Sequence, residues 1–92
     1  MELSYYVITR KIDFIEQIIE ETEEKLILHK DKVTSAKKIF PLKTIHDISY
    51  KQSINTYKIL YLHTNQGVFS FFIKDNPEPW IDSIKGRIQT DK

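Results

Sequence analysis

The sequence predicts a mainly β domain that ends in one C-terminal α-helix. Segments rich in β-branched and aromatic residues recur from Tyr5 to Ile73, and such segments favour strands. The last segment, from Pro77 onward, instead repeats apolar residues at helical spacing. The chain has 92 residues, which suits a single domain over residues 1–92 and leaves no room for two.

In the first half of the chain, apolar segments separated by polar turns predict four strands. They are residues 5–8, residues 25–29, residues 33 onward and residues 45–50. A turn at residues 30–32 joins the second strand to the third, and residues 37–40 are expected to continue the third. Pro41 then interrupts it, because proline cannot donate a hydrogen bond to a sheet.

The clearest element is a hairpin formed by residues 58–64 and 68–73. The segment Asn65-Gln66-Gly67 lies between them and predicts a three-residue loop in which Gly67 takes the left-handed conformation. Both strands carry apolar residues on both faces. We therefore expect this hairpin to lie in the centre of the sheet or beneath other elements.

The last segment predicts a helix whose first turn contains Pro77 or Pro79, since a proline at that position loses no hydrogen bond. Its apolar side chains form one stripe that is expected to cover an open end or face of the sheet. The stripe consists of Trp80, Ile81, Ile84 and Ile88. The residues expected in the structural core are Trp80, Ile84, Ile88 and Phe71.

Residues 13–24 fit two different structures. Asp13 followed by Glu16 has the form of a helix start, and the isoleucines and phenylalanine of this segment share a helical face. The same residues also alternate as in a strand, which isoleucine favours slightly. A strand here gives the mainly β domain with one helix, whereas a helix gives an α+β domain whose antiparallel sheet carries two helices.

With residues 13–24 as a strand, seven strands precede one helix. The segments concerned include the strand pair Lys25–Phe40, the approach to the next strand at Pro41–Ile45, the turn Asn65–Gly67 and the helix that contains Trp80. This order resembles the pleckstrin-homology (PH-like) superfold, and it looks most like the short PH-like domains of bacteria. The resemblance implies a partly open β-barrel or sandwich that the helix and its tryptophan plug at one end. It also implies a groove between a strand and the helix that can accept a peptide.

The composition excludes several classes of site. The absence of cysteine excludes disulfides, thiolate zinc sites, iron–sulfur clusters and cysteine nucleophiles, and it favours a reducing compartment. No apolar run approaches the ~20 residues that a membrane helix needs. Residues 1–9 include Glu2 and lack the continuous apolar stretch of a signal peptide. These features predict a cytoplasmic protein.

The histidines and hydroxyl residues form no recognisable catalytic or metal-binding motif. His46 and Asp47 are adjacent on a predicted strand, so their side chains are expected on opposite faces and out of hydrogen-bonding reach. His29, His46 and His63 lack the spacing of metal-binding motifs. The chain also lacks Gly-x-Ser-x-Gly and a glycine-rich phosphate loop. We expect neither enzymatic activity nor a bound cofactor or metal.

Charge is distributed unevenly along a chain whose formal net charge is only +1. Residues 13–24 contain six acids and no lysine or arginine, whereas residues 25–58 contain eight lysines and two aspartates. In phosphoinositide-binding PH domains the loop between the first two strands supplies basic residues to the headgroup, and Arg10 and Lys11 match that position here. The candidate anion- or lipid-binding residues are therefore Arg10, Lys11, Lys37, Lys38 and Lys43.

These observations predict a non-enzymatic binding or scaffold domain that contacts a protein partner or assembles with itself. Tyr5, Tyr6 and Tyr57 suit such an interface, because tyrosine adds contact area with few rotatable bonds. The alternative is peripheral binding of anionic lipid headgroups through the basic loop and the lysine-rich strand. Nucleic acid is disfavoured, since domains that bind it usually have a pI above ~9 and the sequence pI is about 7.9.

Overall fold

The described part of the chain folds into seven strands and one α-helix. The computed structural model describes residues 1–12, 17–52 and 57–89, together with the side chains of residues 1–9, 19–52 and 57–88. The strands are β1 (Glu2–Ile12), β2 (Gln17–Leu28), β3 (Lys32–Thr34), β4 (Ile39–Pro41), β5 (Ile45–Gln52), β6 (Lys58–Thr64) and β7 (Gly67–Ile73). A short 3-10 helix (Leu42–Thr44) precedes β5, and the α-helix is α1 (Glu78–Gln89).

All seven strands belong to one antiparallel sheet with the order β4-β3-β2-β1-β7-β6-β5, so β4 and β5 are its edges. The mainly β fold class with one C-terminal helix is thereby confirmed. The strand interpretation of residues 13–24 is right for residues 17–24, which lie in β2, while residues 13–16 fall outside the described residues. The β6–β7 hairpin lies inside the sheet, as its two apolar faces predict.

β2 is a single strand of 12 residues that unites two segments which the sequence prediction separates. The division was expected at Lys25, where acidic residues give way to apolar ones. In the structure the strand continues through that point, because β1 pairs with it from Glu2 opposite Ile27 to Ile12 opposite Gln17. Backbone pairing with a long neighbour therefore overrides the change in composition.

β3 and β4 are separate strands, although the sequence predicts one strand that runs through residues 37–40. The chain reverses between them, where the Ser35 N–H donates to the Lys38 carbonyl at 2.8 Å, and β4 then pairs antiparallel with β3. The prediction was wrong because this turn contains neither glycine nor proline, the strongest turn signals in a sequence. β4 lies at a sheet edge, which is where a strand tolerates Pro41.

The loop of the β6–β7 hairpin has two residues rather than the predicted three. Thr64 pairs directly with Gly67, and Gly67 has a φ of +127°, a value that favours glycine. The Thr64 hydroxyl stabilises the turn, because it donates to the Gly67 carbonyl at 2.8 Å and accepts from the Gln66 N–H at 3.1 Å. The glycine therefore occupies the first position of β7.

The core is one cluster of buried side chains between the sheet and α1. Trp80, which is 2% exposed, and Ile84 enter it from the helix, whereas Phe71 and Ile88 are partly buried and pack against it. Its buried members are Leu3, Tyr5, Leu26, Leu28, Val33, Phe40, Ile45, Ile48, Leu60, Leu62, Ile73, Trp80, Ile81 and Ile84. The Trp80 Nε1 is buried and makes no hydrogen bond with a described residue, so the indole contributes by apolar contact.

α1 is capped at its start and tied near its end to the turn between β2 and β3. At its start the Glu78 N–H donates to the Asn76 Oδ1 at 3.2 Å, which satisfies one of the free donors of the first turn. Near its end the Arg87 Nη1 donates to the carbonyls of His29 at 3.0 Å and Lys30 at 3.3 Å. The helix therefore covers the end of the sheet between β5 and the turn that joins β2 to β3.

β1 and β7 are neighbours in the sheet but are in register at one pair only, Tyr6 opposite Phe72. β1 pairs with β2 along its whole length, so beyond Tyr6 it leaves β7 and continues with β2. We call the line along which β1 and β7 diverge the seam. We call the two-stranded extension, residues 7–12 of β1 and 17–22 of β2, the arm.

We predict that Trp80→Ala lowers the free energy of unfolding by about 3–5 kcal/mol, because removal of the buried indole leaves a cavity in the core. Trp80→Phe should cost less, since the indole N–H makes no hydrogen bond with a described residue that phenylalanine would lose. Urea unfolding of both variants measures the difference. A loss below ~1 kcal/mol for Trp80→Ala, typical of a surface substitution, would contradict the position of the indole.

Candidate functional site

The seam opens into a surface groove with a volume of about 610 Å³. Its floor is aromatic and consists of Tyr5 from β1, Phe40 from β4, and Phe69 and Phe71 from β7. Its walls are the diverging strands on one side and the β3–β4 turn (residues 35–38) on the other. We call it the aromatic groove. Ligand sites are typically concave, largely apolar surfaces of this size, so this groove is the leading candidate for a binding site.

The aromatic rings of the floor hold one another in place. Phe40 packs edge-on against Phe69 with 5.1 Å between ring centroids, and Tyr5 packs edge-on against Phe71 at 5.0 Å. Such edge-to-face pairs are favourable beyond the area that they bury. The Tyr5 hydroxyl also accepts a hydrogen bond of 3.1 Å from the Ala36 N–H, which fixes the β3–β4 turn beside the floor. The floor is therefore a preformed surface.

Two of the predicted anion-binding residues, Lys37 and Lys38, lie together at the rim of the groove. The Ser35 Oγ accepts hydrogen bonds from their backbone N–H groups, at 3.4 and 3.1 Å, and so holds the turn that carries them. The Lys38 Nζ lies 4.4 Å from the ring centroid of Phe69, a cation–π distance. Neither lysine forms an ion pair with a described residue. The rim therefore carries two positive charges beside an aromatic surface.

The structure places the other predicted anion-binding residues elsewhere. Lys43 lies in the 3-10 helix after β4 and does not line the groove. Arg10 and Lys11 were expected in a loop, but β1 extends to Ile12, so both belong to a strand. Their side chains lie outside those that the structure describes. The expected loop position was wrong because β1 stays paired with β2 beyond it.

Tyr6 and Tyr57, two of the tyrosines expected at an interface, form a charged cluster with Glu21 and Lys74. The Lys74 Nζ lies 2.6 Å from the Glu21 Oε1, and the Tyr57 hydroxyl donates to the Glu21 Oε2. The same ammonium lies 4.4 Å from the ring centroid of Tyr6 and 5.4 Å from that of Tyr57. Since Tyr5 and Tyr6 point to opposite faces of β1, this cluster bridges the sheet on the face opposite the aromatic floor.

The groove between a strand and the helix, which the resemblance implies, lies between β5 and α1 and has a volume of about 500 Å³. Two contacts of the chain itself span it. The Tyr50 hydroxyl donates to the Glu78 Oε1 at 2.9 Å, and the Lys85 Nζ lies 3.5 Å from the Asp47 Oδ1. A peptide between β5 and α1 would have to displace both contacts, so this groove is less ready to bind than the aromatic groove.

The sequence predicts that His46 and Asp47 lie on opposite faces of β5, and the structure contradicts this prediction. Ile45 pairs with Thr64 and Asp47 pairs with His63, so His46 is the extra residue of a β-bulge. Both side chains are exposed, and both line one shallow pocket. The prediction was wrong because a bulge breaks the alternation of side chains on which it relied.

A serine–histidine pair that no sequence spacing indicated lies on the outer face of β5 and β6. The Ser49 Oγ is 2.9 Å from the His63 Nε2, and Asp47 is the cross-strand neighbour of His63. The hydrogen bond from the Ile48 N–H, followed by the charge of Lys85, holds the pKa of Asp47 below its usual range. Neither the serine nor the histidine lines the aromatic groove. The geometry is that of a cross-strand polar contact on an exposed sheet face.

The chain matches no family model, no curated protein and no solved structure. Within the part of the chain that the structure describes, no group of three or more histidine, cysteine, aspartate or glutamate side chains could hold a metal ion. Among the same residues, no helix is long and apolar enough to cross a membrane. The candidate site is therefore argued from the geometry of the groove.

We predict that the charged cluster weakens on acidification. Hydrogen bonds from Lys74 and then from Tyr57 hold the pKa of Glu21 below its ordinary value of 4.5. A carboxylate with a lowered pKa in the folded chain stabilises the fold above its unfolded pKa, and this stabilisation is lost as the pH falls through the folded pKa. The unfolding free energies of wild type and Glu21→Gln should therefore converge as the pH falls from neutrality to below 4.5.

Urea unfolding as a function of pH measures this convergence, and Glu24→Gln is the matched control. The Glu24 carboxylate forms no ion pair with a described residue, so its replacement leaves the contacts of Glu21 with Lys74 and Tyr57 intact. A difference between wild type and Glu21→Gln that stays constant over the whole range would contradict the stabilising role of the Glu21 charge.

Proposed function

We propose that the chain is a PH-like, non-enzymatic domain that binds an extended segment of a protein partner in the aromatic groove. The PH-like assignment is supported by the element order, in which seven antiparallel strands precede one helix with a buried tryptophan near its start. The observation that carries the binding proposal is the open seam, where two diverging strands and an aromatic floor form one groove. The proposed activity is recognition and involves no covalent step.

The diverging strands suit a ligand in extended conformation. β1 pairs with β2 on one side, and β7 pairs with β6. On the side that faces the seam, β1 beyond Tyr6 and β7 from Gly67 to Phe71 are in register with no described strand. Unpaired strand edges accept a further strand, and alternate side chains of the added strand then enter pockets of the receiving domain. One face of the added strand would rest on the aromatic floor.

The floor favours apolar side chains in the ligand. Phe69 and Phe71 are half-buried, so part of their apolar area remains for a ligand to cover. Burial of apolar area contributes ~25 cal/mol per Å². The two rim lysines add a preference for a negative charge next to the apolar residues, because complementary charges guide association.

We predict that short peptides selected on this protein from a random library bind in the aromatic groove. In two-dimensional amide spectra they should shift the signals of β7 and of the β3–β4 turn and leave those of β5 and α1 in place. Phe69→Ala should weaken their binding by about tenfold or more, as expected when a central aromatic contact is lost. Tyr61→Ala is the matched control, since this half-buried ring lies on the neighbouring strand and does not line the groove.

Two results would count against this site. Signal shifts confined to β5 and α1 would show that the peptides bind in the groove between β5 and α1 and not in the aromatic groove. Selected peptides whose affinity falls equally in Phe69→Ala and Tyr61→Ala would show that the floor makes no specific contact.

Anionic lipid headgroups are the alternative ligand, and the two rim lysines favour it. An anionic membrane surface contributes ~1 kcal/mol for each nearby lysine, so two lysines give marginal attachment. The Glu24 carboxylate lines the same groove and repels anionic headgroups. We therefore predict that the protein floats no more with phosphatidylcholine vesicles that contain phosphatidylserine than with phosphatidylcholine alone. Salt-sensitive flotation that Lys37→Glu/Lys38→Glu abolishes would instead support the lipid alternative.

A further inference from the structure

The edge of β7 along the seam presents backbone groups to the aromatic groove. Thr64 and Gly67 flank the two-residue loop of the β6–β7 hairpin and pair with each other. Residues in that position exchange backbone hydrogen bonds, and such pairs alternate along an antiparallel ladder. Every second residue from Gly67 therefore directs its backbone groups toward β6, whereas Val68 and Ser70 direct theirs toward the seam. On that side neither is in register with a described strand.

This edge of β7 borders the aromatic floor directly. Ser70 lines the groove, although its side chain lies on the face of β7 opposite Phe69 and Phe71, so it borders the groove through the strand edge. Directly opposed residues of an antiparallel pair share a face, with about 4.5–5.5 Å between their Cβ atoms. A strand paired with β7 would thus place its side chains beside the two phenylalanines. β1 offers no such position, because it diverges from β7 beyond Tyr6.

The charges around the floor differ between its two ends. At the Phe69 end, the Lys38 Nζ lies 4.4 Å from the ring centroid. At the Phe71 end, the ring packs on Tyr5, whose cross-strand neighbour on the same face is Glu24. Neither the lysine nor the glutamate forms an ion pair with a described residue. The groove therefore has a positive end and a negative end.

The strand edge and the two charges together define an order of side chains in the ligand. A segment antiparallel to β7 passes Phe71 before Phe69, and the residue between these two positions is opposite Ser70. The first and third residues point to the floor, and the middle one points to the outer face. An apolar side chain suits the first position, where an acidic one would be repelled by Glu24. An acidic side chain suits the third position, where Lys38 attracts it.

We propose that the segment bound in the aromatic groove is a strand of a partner protein with the order apolar–any residue–acidic, paired antiparallel with β7 at Val68 and Ser70. Its apolar side chain lies beside Phe71, and its acidic side chain lies beside Phe69 near the ammonium of Lys38. The inference rests on the proposed function of the groove, and it adds the sequence order and the direction of the bound segment. Antiparallel pairing matches every other strand pair of this sheet.

Two peptides of identical composition test the order. Both are acetylated, amidated and flanked by threonines. The forward peptide contains isoleucine, threonine and glutamate in that order, and the reversed peptide contains them in the opposite order. In titrations followed by two-dimensional amide spectra, the forward peptide should have a dissociation constant about fivefold lower or more, because the reversed peptide exchanges an attractive charge contact for a repulsive one. Equal affinity, or tighter binding of the reversed peptide, would overturn the order.

A charge reversal at the rim tests the role of Lys38. Lys38→Glu should weaken the forward peptide by about fivefold or more and change the reversed peptide little, so that the two affinities converge. Lys43→Glu is the matched control, because it makes the same change of net charge on an exposed residue that does not line the groove. It should preserve the preference for the forward peptide. An equal loss of preference in both variants would show that net charge alone sets it.

Methylation of single backbone nitrogens in the forward peptide tests the pairing with β7. The N–H of the middle residue points to Ser70, so its methylation should weaken binding by about tenfold or more through loss of a hydrogen bond and a clash with the strand edge. The N–H of the glutamate points away from β7, so its methylation should change affinity by about twofold or less. A larger loss at the glutamate would place the pairing on another edge.

The fate of the proposed function is read separately, from the library-selected peptides. If they shift the signals of β7 and of the β3–β4 turn but show no apolar–any residue–acidic order, the inference falls and the groove remains a binding site. If neither they nor the forward peptide shift these signals, the proposed function falls as well.

Discussion

The register of β1 decides the architecture of this domain. β1 follows β2 over its whole length but meets β7 only where Tyr6 lies opposite Phe72. If β1 kept its register with β7, it would cover the seam and the sheet would be continuous there. Because β1 diverges from β7 beyond Tyr6, the rings of Phe69 and Phe71 stay accessible at the surface groove. The rest of β1 extends away from the core. One departure in backbone pairing thus produces both the groove and the arm.

The buried core and the proposed binding surface are different parts of the molecule. The buried cluster around Trp80 joins the sheet to α1, and Arg87 ties the helix to the turn after β2. The charged cluster of Lys74 and Glu21 is partly exposed, and ion pairs of this kind contribute little to folding. Its position on the face opposite the groove instead fixes where β2 lies relative to β7. The core therefore stabilises the fold, while the seam remains open at the surface.

The sequence predicts those features whose signal is local. The β6–β7 hairpin and α1 follow from turn residues and apolar periodicity, and both are present. The turn at Ser35, the bulge at His46 and the length of β2 depend on pairing with neighbouring strands, which local patterns do not record. The residues of the candidate site divide in the same way between local and long-range features. The rim lysines stand out by composition, whereas Phe40 and Phe69 meet only because the sheet brings distant segments together, and no spacing in the sequence indicates that contact.

Nuclear Overhauser contacts between the backbone protons of β1 and β7 test the open seam most directly, at a concentration where the chain is monomeric. An open seam predicts cross-strand contacts at Tyr6–Phe72 and none between Ile8 and Ser70, the pair two residues further along the same register. A ladder of contacts that continued from Tyr6–Phe72 through Ile8–Ser70 would mean that the two strands stay paired. The groove would then be closed, and a peptide could not lie in it.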